Sequence, residues 1–234
     1  MILSGTFLGY LIGILIAALC GYFLGSFNGA ITSVYLIKHV DVRDYGSHNA
    51  GLTNTLRCFG KLCGILTLII DLGKGAAAMA LAQALNQAIG LAPLSEGNQL
   101  GADYRWLCYV AAIFVILGHV FPLWHKFQGG KGVLVGVSVF LVINPLIFVI
   151  LMSIFGIVLW RSKYVSLSSC IATASVVPVT FFLEFLMRNT ALPMTLFYTI
   201  AVAGMACMII YSHRENILRL KNGTERRIGE KKSE

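Results

Sequence analysis

Residues 133–160 read VLVGVSVFLVINPLIFVILMSIFGIVLW and contain no charged side chain. A membrane-spanning helix needs roughly 20 residues, so this run of 28 is too long for one span and too short for two full ones. Asn144-Pro145 stands inside it, and proline lacks the N–H that would continue a helical ladder. The pattern predicts two shortened helices, 133–143 and 146–160, forming a hairpin that need not cross the whole bilayer.

Further apolar runs lie at 6–25, 62–82, 107–122, 167–187 and 194–211, which brings the expected count to seven helices. The predicted fold is therefore all-α, a polytopic integral membrane protein. Composition agrees: 57% of the 234 residues are hydrophobic and 12% charged, against about 25% charged in a soluble domain. A soluble globule, a disordered chain, a collagen and a disulfide scaffold are excluded on the same grounds. One membrane domain, 1–212, and a basic tail, 213–234, account for the length. Residues 1–24 lack a basic leader and carry too long an apolar run for a signal peptide, so they read as a retained first span.

Orientation follows from the basic residues, which are retained on the cytoplasmic side. Lys38, Arg43, Arg57, Lys61, Lys126, Lys131, Arg161 and Lys163 fall on one face, together with the seven Lys and Arg between Arg214 and Lys232. The opposite face receives Arg105 and Arg188. The N-terminus is expected outside and the C-terminus in the cytoplasm. The six cysteines form no C-x-x-C pair and no metal-ligand spacing with histidine, so they read as apolar packing residues.

Four polar segments share the predicted cytoplasmic end. In Gly46-Ser-His-Asn-Ala-Gly-Leu-Thr-Asn-Thr-Leu-Arg57, small residues permit tight turns that present N–H groups to an anion, and Asn49, Thr53, Asn54 and Arg57 add donors and charge. A capped interhelical turn fits the same residues. In Phe127-Gln-Gly-Gly-Lys-Gly132, three glycines around Lys131 suggest a second anion loop, or else a re-entrant turn with a lysine reaching the interface. This is no nucleotide-binding P-loop, because His125 stands where that motif needs glycine and Gly132 where it needs Ser or Thr. The third segment, Tyr164 to Ser169, opens a helix with serines that suit a cap. In the fourth, Tyr211-Ser-His-Arg-Glu-Asn-Ile217 running on through Arg219-Leu-Lys-Asn-Gly-Thr-Glu225, a basic tail would bind anionic lipid, yet such an anchor has no use for His213, Glu215 and Asn216. Asp71 and Lys74, at i and i+3 inside an apolar run, can pair with each other or contact a substrate. His39 and Asp44 have the His-x-x-x-x-Asp spacing of a different class of glycerolipid acyltransferase, in which the histidine deprotonates a hydroxyl.

Taken together, the chain resembles the bacterial acyl-phosphate:glycerol-3-phosphate acyltransferase family. The resemblance is carried by Gly25-Ser26, the 46–57 run, Asp71-x-x-Lys74-Gly75, Gly118-His119-x-Phe121-Pro122, Phe127-x-Gly129-Gly130-Lys131-Gly132, Tyr164 to Ser169 and His213 to Ile217. The chain departs from the family pattern at Asn28, usually Pro, at His48, usually Gly, at Leu52, usually Ala, and at Leu134-Val135, usually Ala-Thr. The resemblance implies transfer of a fatty acyl group from acyl phosphate to the 1-hydroxyl of glycerol 3-phosphate, giving lysophosphatidic acid and phosphate, in a bacterial inner membrane with the site on the cytoplasmic side. It implies that Ser47, Arg57, Lys131, His213 and Asn216 hold the glycerol phosphate and serve catalysis, and that residues from Asn49 through Gly51, Thr53 and Asn54 bind the acyl phosphate group. Ser26, His119, Gly129, Gly130, Gly132 and Glu215 complete the implied substrate contacts. No cofactor or metal is implied, the donor's own phosphate can take the proton, and the partners are the two substrates, membrane lipids and the enzyme that makes acyl phosphate, with no nucleic acid. The competing readings are an anion or lipid transporter, which the lack of an internal repeat disfavours, and an acyltransferase using another donor with His39 as base.

Overall fold

The structure, a computed structural model, describes residues 7–89 and 105–229. Among them it forms nine α-helices: α1 Phe7–Ser26, α2 Gly29–Lys38, α3 Leu52–Ile89, α4 Trp106–Val120, α5 Val133–Ile143, α6 Pro145–Ser162, α7 Val165–Phe182, α8 Leu192–Ser212 and α9 Arg214–Lys221. Six stretches are long and apolar enough to cross a membrane, and α5 is a seventh, shorter apolar helix.

The break between the two helices of the hairpin forms where the sequence predicts it, but only α5 is shortened: α6, at 18 residues, is long and apolar enough to cross a membrane. Asn144 leaves the helical conformation (φ −155°, ψ 90°), accepts a hydrogen bond from Ile147 N and caps α6, whose first residue is Pro145. Proline suits that position because its missing N–H would be unbonded there in any case. The turn is also held from a neighbour. Glu184, fully buried, accepts from Asn144 Nδ2 at 3.4 Å, from Thr190 Oγ1 at 3.1 Å, and from both Arg105 NH groups at 2.8 and 2.9 Å.

Three helices escape the periodicity reading, α2, α3 and α9, the last lying in the stretch expected as a basic tail. Helix α2 is only 10 residues long, started by Asn28, whose side chain accepts from Ile31 N. Helix α3 begins ten residues before the expected start, at Leu52, and bends at Gly60, whose φ of 81° and ψ of −173° lie outside helical space. Thr53, Asn54 and Arg57 therefore stand on a helix rather than on a loop.

Helices α1 and α4 approach closely, because a side chain at Gly25 would meet Val115 O at 2.2 Å and one at Gly118 would meet Tyr22 O at 2.1 Å. Small residues that admit a neighbouring backbone are how helices associate in lipid. This contact brings His119 beside α3. There the buried Lys74 ammonium pairs with Asp71 at 2.9 Å and donates to Gly25 O, Phe27 O and His119 Nδ1 at 3.1, 3.0 and 2.7 Å. Asp71 also accepts from Gly29 N at 3.1 Å. Of the two uses the sequence leaves open for this pair, the internal one is realised, and it seats α2 on α3.

Candidate active site

The two glycine-containing loops meet. Arg43, paired with Asp41 at 2.6 Å, donates to His125 O and Gln128 O at 2.8 and 3.0 Å, which ties the α2–α3 connection to the α4–α5 connection. Gly130 lies where any side chain would strike the His119 ring at 2.3 Å and Ala50 O at 2.5 Å. Its N–H donates to His119 O, and that of Gly129 to Val120 O, both at 3.1 Å. The sequence offers these N–H groups to an anion, whereas the structure spends them on folding the loop. The loop hands Lys131 to the start of α5, whose first N–H groups have no carbonyl a turn earlier to bond.

The 46–57 segment divides in the same way. Asn54, buried, accepts from Ser47 N at 2.9 Å and donates to Tyr45 O and Val42 O at 2.9 and 3.3 Å, so its amide shapes the loop. Asn28 donates to Ala50 O at 3.3 Å. His48 has a φ of 56°, a region natural to glycine. Its ring bonds Arg43 O at 2.8 Å on the exposed side of the loop. The residue that departs most from the family pattern therefore keeps the glycine-like backbone and directs its side chain to Arg43. Thr53 and Arg57 are exposed on α3, while Ser47, Asn49 and Gly51 are half-buried. Ser26 and His119 are buried: Ser26 Oγ accepts from Leu123 N at 3.3 Å, and His119 belongs to the Asp71–Lys74 network.

A polar cluster forms where α5, α7, α8 and α9 converge. Lys131 donates to Asn216 Oδ1. The Asn216 amide nitrogen donates to Glu225 Oε1 at 2.7 Å, as does Ser166 Oγ, and Arg219 Nε donates to Glu225 Oε2 at 2.8 Å. Burial, reinforced by Arg219, lowers the Lys131 ammonium to about 8. Burial also lowers His213 to about 4, against the opposing effect of its bond to Ile209 O. That 2.8 Å bond uses Nδ1, so the neutral ring donates from Nδ1 and keeps its lone pair on Nε2. Burial raises the Glu225 carboxyl, but its bonds from Arg219, Asn216 and Ser166 outweigh this and hold it below the ordinary range. Glu215, by contrast, is exposed and lies 3.9 Å from Arg219. Glu225 is absent from the sequence-derived site. Its signal was a lone acid among Arg219, Lys221, Arg226 and Arg227.

Beneath these segments an apolar cavity of about 370 Å³ runs between α3 and α5–α8. Leu52, Val133 and Ile209 line it. Leu52 follows Gly51, Val133 follows Gly132, and the carbonyl of Ile209 holds His213.

Apolar helices, a polar cluster around Lys131 at their ends and an apolar cavity lined by residues that adjoin the polar segments define a membrane protein with places for both an anionic group and a hydrocarbon chain. A family model described as glycerol-3-phosphate acyltransferase matches residues 15–223. The chain belongs to that family. It is 35% identical over 214 residues to the glycerol-3-phosphate acyltransferase of Salinibacter ruber, covering 90% of each chain, and 36% identical over 218 residues to that of Clostridioides difficile, covering 93% and 97%. The crystal structure of PlsY, an integral membrane glycerol 3-phosphate acyltransferase, in its glycerol 3-phosphate form superposes with a TM-score of 0.73 at 30% identity, covering 92% of this chain and 96% of that one. Its lysophosphatidic acid form gives 0.70 at 28% identity, with 92% and 95% coverage.

Proposed function

We propose that the protein acylates the 1-hydroxyl of glycerol 3-phosphate with acyl phosphate as donor, at the cytoplasmic face of a bacterial inner membrane, receiving its donor from the enzyme that makes acyl phosphate. The observation that carries this reading is that residues lining the apolar cavity adjoin the polar segments: Leu52 follows Gly51, Val133 lies two residues after Lys131, and the carbonyl of Ile209 accepts from His213 Nδ1.

Lys131 and the exposed Arg57, with Ser47, hold the substrate phosphate as charge-assisted donors. The Asn49–Gly51 turn receives the acyl phosphate group, and the acyl chain descends past Leu52 and Val133. His213 Nε2, neutral at physiological pH, accepts a hydrogen bond from a glycerol hydroxyl and orients it. The hydroxyl oxygen attacks the acyl carbonyl carbon, the carbonyl becomes an oxyanion, and its collapse breaks the bond to the phosphate oxygen. Phosphate leaves with the hydroxyl proton, which its second ionisation near neutrality lets it hold, whereas burial keeps the His213 ring well below the ordinary histidine range and so a poor base. The donor is already activated, so the protein contributes orientation and charge stabilisation.

Gly136 lines the cavity, and a side chain there would meet Ile209 Cδ1 at 3.2 Å. Gly136→Leu is expected to lower kcat/KM for palmitoyl phosphate at least tenfold more than for octanoyl phosphate. An equal loss for both donors would remove the acyl chain from this cavity.

A further inference from the structure

Glu225 is met by three donors from two parts of the fold: Ser166 at the start of α7, and Asn216 and Arg219 on α9. Its segment is pinned just downstream, where Ile228 N donates to Lys163 O at 2.8 Å and Arg227 Nε to Tyr164 OH at 3.0 Å. The tail is thus part of the folded unit beyond α9.

The consequence reaches Lys131 through the chemistry of asparagine. An amide has a donor end and an acceptor end. With Asn216 Nδ2 committed to Glu225, only Oδ1 can face the Lys131 ammonium, and this is the contact observed. Without the carboxylate the amide is free to turn its NH₂ toward the ammonium, setting donor against donor.

We propose that Glu225 is a positioning residue for acyl transfer: it fixes the Asn216 amide with Oδ1 toward Lys131 and supplies the negative charge that balances this half-buried cation. The inference rests on the reading of Lys131 as the cation that holds substrate phosphate. Among the described residues, the other charged or titratable groups that act on Lys131 are Arg219 and Glu215 on α9, Cys170 on α7 and His213 between α8 and α9. Arg219 opposes the Lys131 charge and Glu225 favours it.

The test is kcat/KM for glycerol 3-phosphate from pH 6 to 10, with palmitoyl phosphate as donor and the full chain in detergent. This quantity reports ionisations of the free enzyme. Glu225→Gln keeps an acceptor for Asn216 and removes the charge, so the alkaline limb is expected to move about one unit toward acid. Arg219→Gln is expected to move it toward alkali. Loss of folding cannot produce opposite shifts. Glu225→Ala removes the acceptor as well and is expected to lose about 10²-fold in kcat/KM through misplacement of Asn216 and Lys131. An unmoved limb in Glu225→Gln, with Lys131→Ala inactive, would overturn the inference alone. Full activity in Lys131→Ala would instead overturn the reading of Lys131 on which it rests. Should Glu225→Gln fail to accumulate, an unmoved limb in Arg219→Gln overturns the proposal by itself.

Discussion

Lys131 is the residue on which the site's electrostatics converge, and replacing it separates charge from shape. Its ammonium is half-buried, bonded to Asn216 and lowered to about 8 by burial and by Arg219. Removing one member of a partly desolvated, hydrogen-bonded charge pair costs about 2–4 kcal/mol. For Lys131→Ala this corresponds to a loss of about 30- to 900-fold in kcat/KM. Lys126 is the control, because it is five residues away in the same connection, exposed, and in the left-handed conformation that ends a short 3₁₀ turn. Lys126→Ala should stay within about twofold, since exposed charges contribute little. The pH dependence has a definite sign. Only the protonated amine binds phosphate, so activity is full below the Lys131 pKa and falls about tenfold per unit above 8. Lys131→Arg, which does not titrate in this range, should have lower activity and no fall near pH 8. The assay is initial-rate formation of lysophosphatidic acid across pH 6 to 10. An alkaline limb that persists in Lys131→Arg would refute the assignment of that limb to Lys131.

Three further outcomes are expected. His213→Ala should raise KM for glycerol 3-phosphate more than it lowers kcat, whereas His39→Ala should change kcat only a few-fold, because His39 is exposed and its ring meets Tyr35 edge-on rather than Asp44; a collapse of kcat in His39→Ala at unchanged KM would make that histidine the base. Glu184→Ala should lower the stability of the detergent-solubilised protein by about 3–5 kcal/mol, because it removes the bidentate partner of Arg105, and an unchanged thermal midpoint would refute the role given to this buried pair. Single cysteines at Ala191 and Lys221, both exposed, in a background without the native cysteines should label from opposite sides of the membrane; labelling from one side would reject the assigned orientation.

The hairpin was legible because two chemical signals coincide at one point: Pro145 cannot continue a helix that precedes it, and Asn144 is suited to cap one that follows. Lys131 stood out because three glycines surround it, and His213 and Asn216 because a basic anchor for anionic lipid has no use for them. Helix α2 was not legible, being too short to register as a span and too apolar to look like a loop. Gly60 concealed the true start of α3 by interrupting its helical geometry after Phe59. The shared chemistry of Asn54 also misleads, since a side chain that could bind an anion serves equally to bond the turn that precedes its own helix. Glu225 was hidden by distance along the chain, its partner Ser166 lying 59 residues earlier.

The claim on which the account depends is the identity of the donor. Purified protein should be offered palmitoyl phosphate, palmitoyl-CoA and palmitoyl-acyl carrier protein in parallel, each with labelled glycerol 3-phosphate, and both labelled lysophosphatidic acid and released phosphate should be measured. The account predicts product from palmitoyl phosphate alone, with one phosphate released for each lysophosphatidic acid formed. Product from the thioester donors in the absence of any from palmitoyl phosphate would contradict it.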